Sequence, residues 1–256
     1  MLKSSVNDLL SALRYALRRK VDIIALVMEL FHGSQYIIEK PTLLAGKANN
    51  DYGRGFYCTQ KYDMACEWAC KNGKDGFVNV YALENAGLKS LDLLGGEYTI
   101  LNWIALLLKN RFFNLSSEIA LDAREYLISN FAPDLTGFDV VVGYRANDSY
   151  FSYAESFVEN ALPLKSLSKA MYLGGLGEQI ALVSEKAFAS LSFERADIVQ
   201  SSVYHKRFVE RDSKARADYR NEIKVQKSYT DDVFVMDILR GRVRADDERI
   251  QRFVHR

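Results

Sequence analysis

The stretch MELFHGSQY, residues 28–36, places one of only three histidines directly before a glycine and a serine. Its first half is apolar and reads as a short strand over residues 29–32, so His32 stands where a strand gives way to a loop. The next informative segment is NDYGRGFYCT, residues 50–59. There Gly53 and Gly55 permit sharp turns and close backbone approach, while Tyr52, Phe56 and Tyr57 supply flat apolar faces. The glycine spacing is neither that of a dinucleotide fingerprint nor that of a phosphate loop.

The surrounding chain reads as a mixture of helices and strands. Residues 56–59 and FVNVYAL (77–83) have β-branched and aromatic content, and FDVVVGY (138–144) has the apolar run of a buried strand. EQIALVS (178–184) and LSFERADIV (191–199) are two further strands around a short segment at 185–190. Helices are expected over 63–71, near 98–109, over 116–130 with a serine N-cap, and over 149–159. Strands in ones and twos between helices, without even βαβ units, predict an α+β domain rather than a doubly wound sheet. Residues 1–27 form an amphipathic helix by their apolar spacing, 28–203 the main domain, and 204–256 a charged helical appendage. In that appendage Arg207, Arg211, Lys214 and Arg216 make a modest case for a phosphate-rich target, and His205 and His255 are expected to be solvated.

Composition narrows the classes. Lysine and arginine number 34 against 33 aspartates and glutamates, a net charge of +1 that gives no global pull toward nucleic acid or membrane. Cys58, Cys66 and Cys70 are odd in number and lack paired zinc-site spacing, so they are expected as free thiols with no metal. The basic N-terminal stretch lacks the order of a signal peptide, and no apolar run approaches the roughly 18 residues of a membrane span. A cytoplasmic protein is expected, or one delivered into a target cell if it is an effector.

Taken in order, the His32-Gly33-Ser34 segment, the Asp51-Tyr52-Gly53-Arg54-Gly55-Phe56-Tyr57 segment with its following helix, and the strands at 77–83 and 138–144 resemble the ADP-ribosyltransferase superfamily. More narrowly they are similar to its histidine-tyrosine-glutamate branch and to a bacterial family of such proteins of unassigned function. The resemblance covers about residues 29–200. It implies a split β-sheet core with flanking helices, and NAD as co-substrate. It also implies that His32 holds the adenosine-side ribose, that the Gly33 backbone meets the nicotinamide amide beside Ser34, and that Tyr57 and Tyr52 sandwich the nicotinamide ring. The physical chemistry is compatible, because a neutral imidazole can bond vicinal hydroxyls and stacked aromatics can hold a planar ring.

The family's third element is a glutamate at the start of a later strand, where it steadies the cationic sugar as the glycosidic bond breaks. The matching strand here, GEQIALVSEKA, aligns Gln179 with that position and puts Glu178 one residue earlier. Strand side chains alternate, so Glu178 and Gln179 cannot both face the site. Either the glutamine suffices, or Glu178 points inward, or another acid such as Asp148 enters the cleft. Arg145, delivered by the same buried strand in VVVGYRANDSY (140–150), can contact a pyrophosphate or sit beside a helix cap formed by Asn147 and Asp148.

The resemblance implies a transferase that cleaves the nicotinamide–ribose bond of NAD and passes ADP-ribose to a macromolecular acceptor, protein or nucleic acid. Its implied context is a bacterial toxin, defence protein or effector, with an antitoxin as a possible partner. Gln179 motivates an alternative, a degenerate module that binds NAD or a related nucleotide, or only proteins. A third possibility is an NAD-dependent RNA-modifying transferase of the same superfamily, for which the near-neutral charge is unfavourable.

Overall fold

In a computed structural model the described residues are 27–146, 148–173, 177–225 and 232–251. The amphipathic helix expected at the N-terminus falls outside them, Val27 apart, as do Asn147 and His255. Strand β3 (Gly76–Glu84) is the centre of the first sheet, because Val78, Val80, Tyr81 and Leu83 give it buried side chains on both faces. It pairs antiparallel with β1 (Val27–Ser34) on one side and β7 (Leu191–Val199) on the other. The register sets His32 opposite Asn79. Asn79 is fully buried and satisfied: its Nδ2 donates to the His32 and Tyr36 carbonyls, and its Oδ1 accepts from the Ile38 amide at 2.8 Å. That network fixes the turn by which the chain leaves β1.

The second sheet has the order β2 (Phe56–Cys58), β6 (Glu178–Leu182), β5 (Val140–Tyr144), β4 (Ser90–Asp92). Its β4–β5 pair is parallel and the others are antiparallel. Phe31 and Thr59 exchange backbone hydrogen bonds of 2.8 and 2.9 Å, which joins the edge of the first sheet to the end of β2. Leu30, Phe56, Tyr81, Leu83, Ile180 and Leu182 fill one cluster drawn from both sheets. The α+β class is therefore as the sequence predicts.

Helices close the remaining faces. Helix α1 (Tyr62–Ala69) lies on β1 and β3, burying Met64, Ala65, Cys66 and Ala69. Helix α2 (Ile100–Asn110) is apolar almost all round and sits in the largest core cluster. The Asn102 side chain accepts from Thr99 N at its N-terminus and donates to the Phe131 carbonyl at the end of α3 (Glu118–Phe131). Ser117 caps α3 by accepting from Ala120 N, as expected from SSEIA. Helix α4 (Asp148–Val158) follows β5, and the short α6 (Glu185–Ala189) joins β6 to β7. A 3-10 turn at Leu43–Ala45, strand β4, only three residues long, and helix α5 (Leu164–Leu173), which buries Leu164 and Leu167, have no counterpart in the sequence reading. Cys58, Cys66 and Cys70 are free and buried.

The C-terminal segment is not set apart from the core. Helix α7 (Ser201–Val225) is highly charged, yet Arg211 forms an ion pair with Glu67 of α1, and half-buried His205 places Nδ1 3.1 Å from the Cys70 carbonyl. Beyond it, α8 (Val235–Leu239) and α9 (Glu248–Gln251) bring Val233, Val235, Ile238, Val243 and Ile250 into the same cluster as α2. These five apolar residues, spaced among charges, are the part of a supposed appendage that the core requires. Ile238→Ala should thus cost about 2–5 kcal/mol in urea unfolding, as for other buried aliphatic deletions; a cost near zero would show the segment to be dispensable.

Candidate functional site

The end of β1, the glycine-bearing loop before β2, helix α1, the exit of β5 and the start of β6 surround a cavity of about 430 Å³, a size suited to a small-molecule ligand. Of the residues singled out by sequence, His32, Gly55, Phe56, Tyr57, Arg145 and Gln179 line it. Gly33, Ser34, Tyr52 and Glu178 are not part of that lining, and each has a local reason for its identity.

Gly33 is where β1 touches α1. A Cβ there would run into the Ala65 carbonyl and the Ala69 amide, so only glycine lets the helix pack at this distance. Ser34 turns the chain, its Oγ accepting from the Tyr36 amide at 3.1 Å. Tyr52 is buried beneath the site, with its hydroxyl donating to the Tyr144 carbonyl at 2.6 Å, and it lines a separate pocket instead. It therefore packs as core rather than as one slice of a sandwich. Glu178 is exposed, whereas Gln179 is 3 % exposed, so the strand's alternation turns the glutamine inward and the acid outward. Asp148 begins helix α4.

His32 is held by two neighbours. Its ring stacks on Phe56 at 4.4 Å, and Nδ1 lies 2.7 Å from the Tyr57 carbonyl. A carbonyl only accepts, so Nδ1 carries the proton, and burial pulls the ring's pKa down so that it stays neutral. Nε2 is then an unprotonated acceptor, suited to a ligand hydroxyl. Tyr57 is fixed in turn: its hydroxyl donates to the Gly53 carbonyl at 2.6 Å and accepts from the Tyr52 amide at 3.0 Å. Gly53 has φ +80°, the left-handed conformation that lets the loop fold back onto that hydroxyl.

Three residues that sequence reasoning did not assign complete the walls. Asp51 is 4 % exposed and accepts through Oδ2 from Ala146 N at 2.9 Å and from Gln179 Nε2 at 2.7 Å. Arg111, at the end of α2, brings Nη1 to 3.5 Å from Asp51 Oδ1 while its guanidinium lies over the Phe151 ring at 4.5 Å. Trp68 of α1 faces the cavity with the Arg145 guanidinium 4.6 Å from its ring centroid. The available signal for Asp51 was an acid inside an otherwise apolar, glycine-bearing segment. Neither of the other two carries a local signal, since Trp68 fits the apolar pattern of α1 and Arg111 simply follows the end of α2.

Gln179 uses its amide nitrogen on Asp51 and on the Tyr144 carbonyl at 3.1 Å, leaving Oε1 as the atom it can offer a ligand. Arg111, Arg145 and Lys71 outnumber Asp51 along the cavity and favour an anionic ligand with a polar, hydroxyl-bearing part. Among the described residues no cluster of three or more histidine, cysteine or acidic side chains could hold a metal ion.

The neutral His32 predicts a pH effect. Its folded pKa lies below the usual 6.5, so the stability it lends is present above that value and is lost as pH falls. In His32→Gln this loss should be absent, and the melting-temperature difference between wild type and variant should shift against wild type between pH 7 and pH 5. A constant difference across that range would show that His32 is not held neutral by burial.

Residues 28–193 match the family described as a protein of unknown function, DUF3990, and the chain belongs to that family. No curated protein and no solved structure matches the chain.

Proposed function

We propose that this DUF3990 protein is an NAD-dependent ADP-ribosyltransferase. The observation that carries the proposal is the convergence of His32, Tyr57 and Gln179, from three separate strands, on one cavity lined by Arg111, Arg145 and Lys71. In this assignment the His32 Nε2 accepts a hydroxyl of the adenosine-side ribose, and Tyr57 alone, without Tyr52, supplies an aromatic wall for the nicotinamide. Arg145 and Arg111 supply the cationic contacts a pyrophosphate requires. Gln179 Oε1 accepts from the nicotinamide-side ribose. The two-sheet α+β architecture, with the three strands meeting at the site, is consistent with an ADP-ribosyltransferase-like core.

The reaction breaks the bond between the nicotinamide nitrogen and ribose C1′, with the electron pair leaving on nitrogen. C1′ is joined to a nucleophile of a macromolecular acceptor, which gives up a proton. The protein's contributions are binding and orientation by His32, Tyr57 and the arginines, and exclusion of water by the Phe56 and Trp68 walls. A second reading has its own support: Gln179 is neutral and its amide nitrogen is tied to Asp51 and Tyr144, a geometry that also suits nucleotide recognition without bond cleavage.

Incubation of the purified protein with NAD labelled in the adenylate half, alone and in a cell lysate, separates these readings. The expected result is release of nicotinamide and transfer of label, reduced about tenfold or more in His32→Ala by loss of a buried hydrogen bond. NAD bound but neither cleaved nor transferred would establish recognition instead, and no binding at all would sink the assignment of NAD.

A further inference from the structure

The two oxygens of Asp51 are treated unequally. Oδ2 accepts two hydrogen bonds, from Ala146 N and Gln179 Nε2, whereas Oδ1 is buried and accepts none. Arg111 Nη1 is 3.5 Å from Oδ1, an ion pair without a hydrogen bond. Carboxylates buried for structural reasons have their lone pairs satisfied, because a bare buried oxygen forfeits its hydration without replacement. Asp51 lines the same cavity as His32 and Gln179, and so does Trp68, whose Nε1 is likewise buried without a hydrogen bond. The walls thus hold, on Asp51 and Trp68, a buried acceptor and a buried donor atom without hydrogen bonds, although both residues are otherwise anchored.

We infer that Asp51 is the ligand-facing acid of this cavity, its Oδ1 receiving a hydrogen-bond donor of the bound molecule. Gln179 is a positioning residue that orients the carboxylate through Oδ2. The negative charge absent at residue 179 is thereby supplied by a residue 128 positions earlier in the chain. The identity of the donor rests on the NAD assignment: under it, Oδ1 meets a hydroxyl of the nicotinamide-side ribose, next to the bond that breaks, where a carboxylate favours the positive charge that develops on the sugar. No covalent bond to Asp51 is involved.

The surroundings set the direction of its titration. Burial raises the Asp51 pKa, against the Ala146 amide, Arg111, the Gln179 amide and Arg145, which all lower it; Tyr52 and Tyr57 lie alongside with their own pKa values pushed up. With a folded pKa above the unfolded one, stability is full below the unfolded value and is lost as pH rises through the folded pKa. Keeping this carboxylate therefore costs stability at neutral pH, as residues retained for a ligand commonly do.

Melting temperatures from pH 4 to 8 and nicotinamide release from NAD, measured on wild type, Asp51→Asn and Gln179→Met, test the inference. Asp51→Asn, which keeps an oxygen for Ala146 and Gln179, should melt about 2–4 °C above wild type at pH 7, with the gap closing toward pH 4. Its nicotinamide release should fall on the order of 100-fold. Gln179→Met removes a hydrogen bond that lowers the Asp51 pKa, so the acid limb of the pH–rate profile should move to higher pH. An Asp51→Asn protein that melts below wild type at pH 7, or fails to fold, would make Asp51 structural and overturn the inference. So would wild-type turnover in that variant, or an acid limb that stays in place in Gln179→Met. If wild type neither binds nor cleaves NAD while Asp51→Asn is stabilised as described, the NAD assignment fails and the ligand-facing acid stands.

Discussion

The paired backbone hydrogen bonds between Phe31 and Thr59 are the constraint on which the site depends. They tie β1 to the end of β2 and so bring one sheet to the other. Once they form, His32 is adjacent in the chain to Phe31 and can reach the Tyr57 carbonyl, which orients its ring. From the same residue, Thr59 Oγ1 donates to the Glu178 carbonyl at 3.1 Å, and β2 pairs with β6 in the register Tyr57 to Ala181. The register of β6 is thus fixed from its outer neighbour. Because a slip of one residue exchanges the faces, that register decides that Gln179 and not Glu178 turns inward.

Much of this was legible in the sequence, and for a definite reason. The segments around His32 and Tyr57 combine strand-forming residues with glycines whose positions have a steric cause, so pattern and geometry agree. The alternation of EQIALVS, with isoleucine and leucine on one parity, already separates residues 178 and 179 onto opposite faces. The structure reassigns some individual roles. Gly33 is explained by contact with α1, and Tyr52 by the hydrogen bond to Tyr144 beneath the cavity. Neither constraint is visible in a linear chain, since both partners are distant in sequence.

What was not legible depended on tertiary partners. Strand β4 is too short to show periodicity and exists because it pairs in parallel with β5. The C-terminal residues Val233, Val235, Ile238, Val243 and Ile250 are diluted among arginines and aspartates, so composition pointed to a solvated tail while packing places them beside α2. Average polarity is a poor guide to burial when a few apolar side chains suffice to anchor a segment. Helix α7 shows the same effect from the charged side, with Arg211 ion-paired to Glu67 of α1.

Asn79 and Asp51 make an instructive contrast. Both are polar and deeply buried, and both sit next to the site-bearing backbone. Asn79 has its oxygen and its nitrogen engaged by the turn it stabilises, which is how a polar group comes to belong to a core. Asp51 accepts hydrogen bonds on one oxygen only, the other meeting Arg111 solely as an ion pair, and its burial raises the free energy of its charged form. A fold in which Asn79 is so completely satisfied demonstrates that the chain can solve such a problem, and a neutral amide in place of Asp51 would leave the same two donors paired. The retained charge is therefore better explained by what enters the cavity than by what surrounds it.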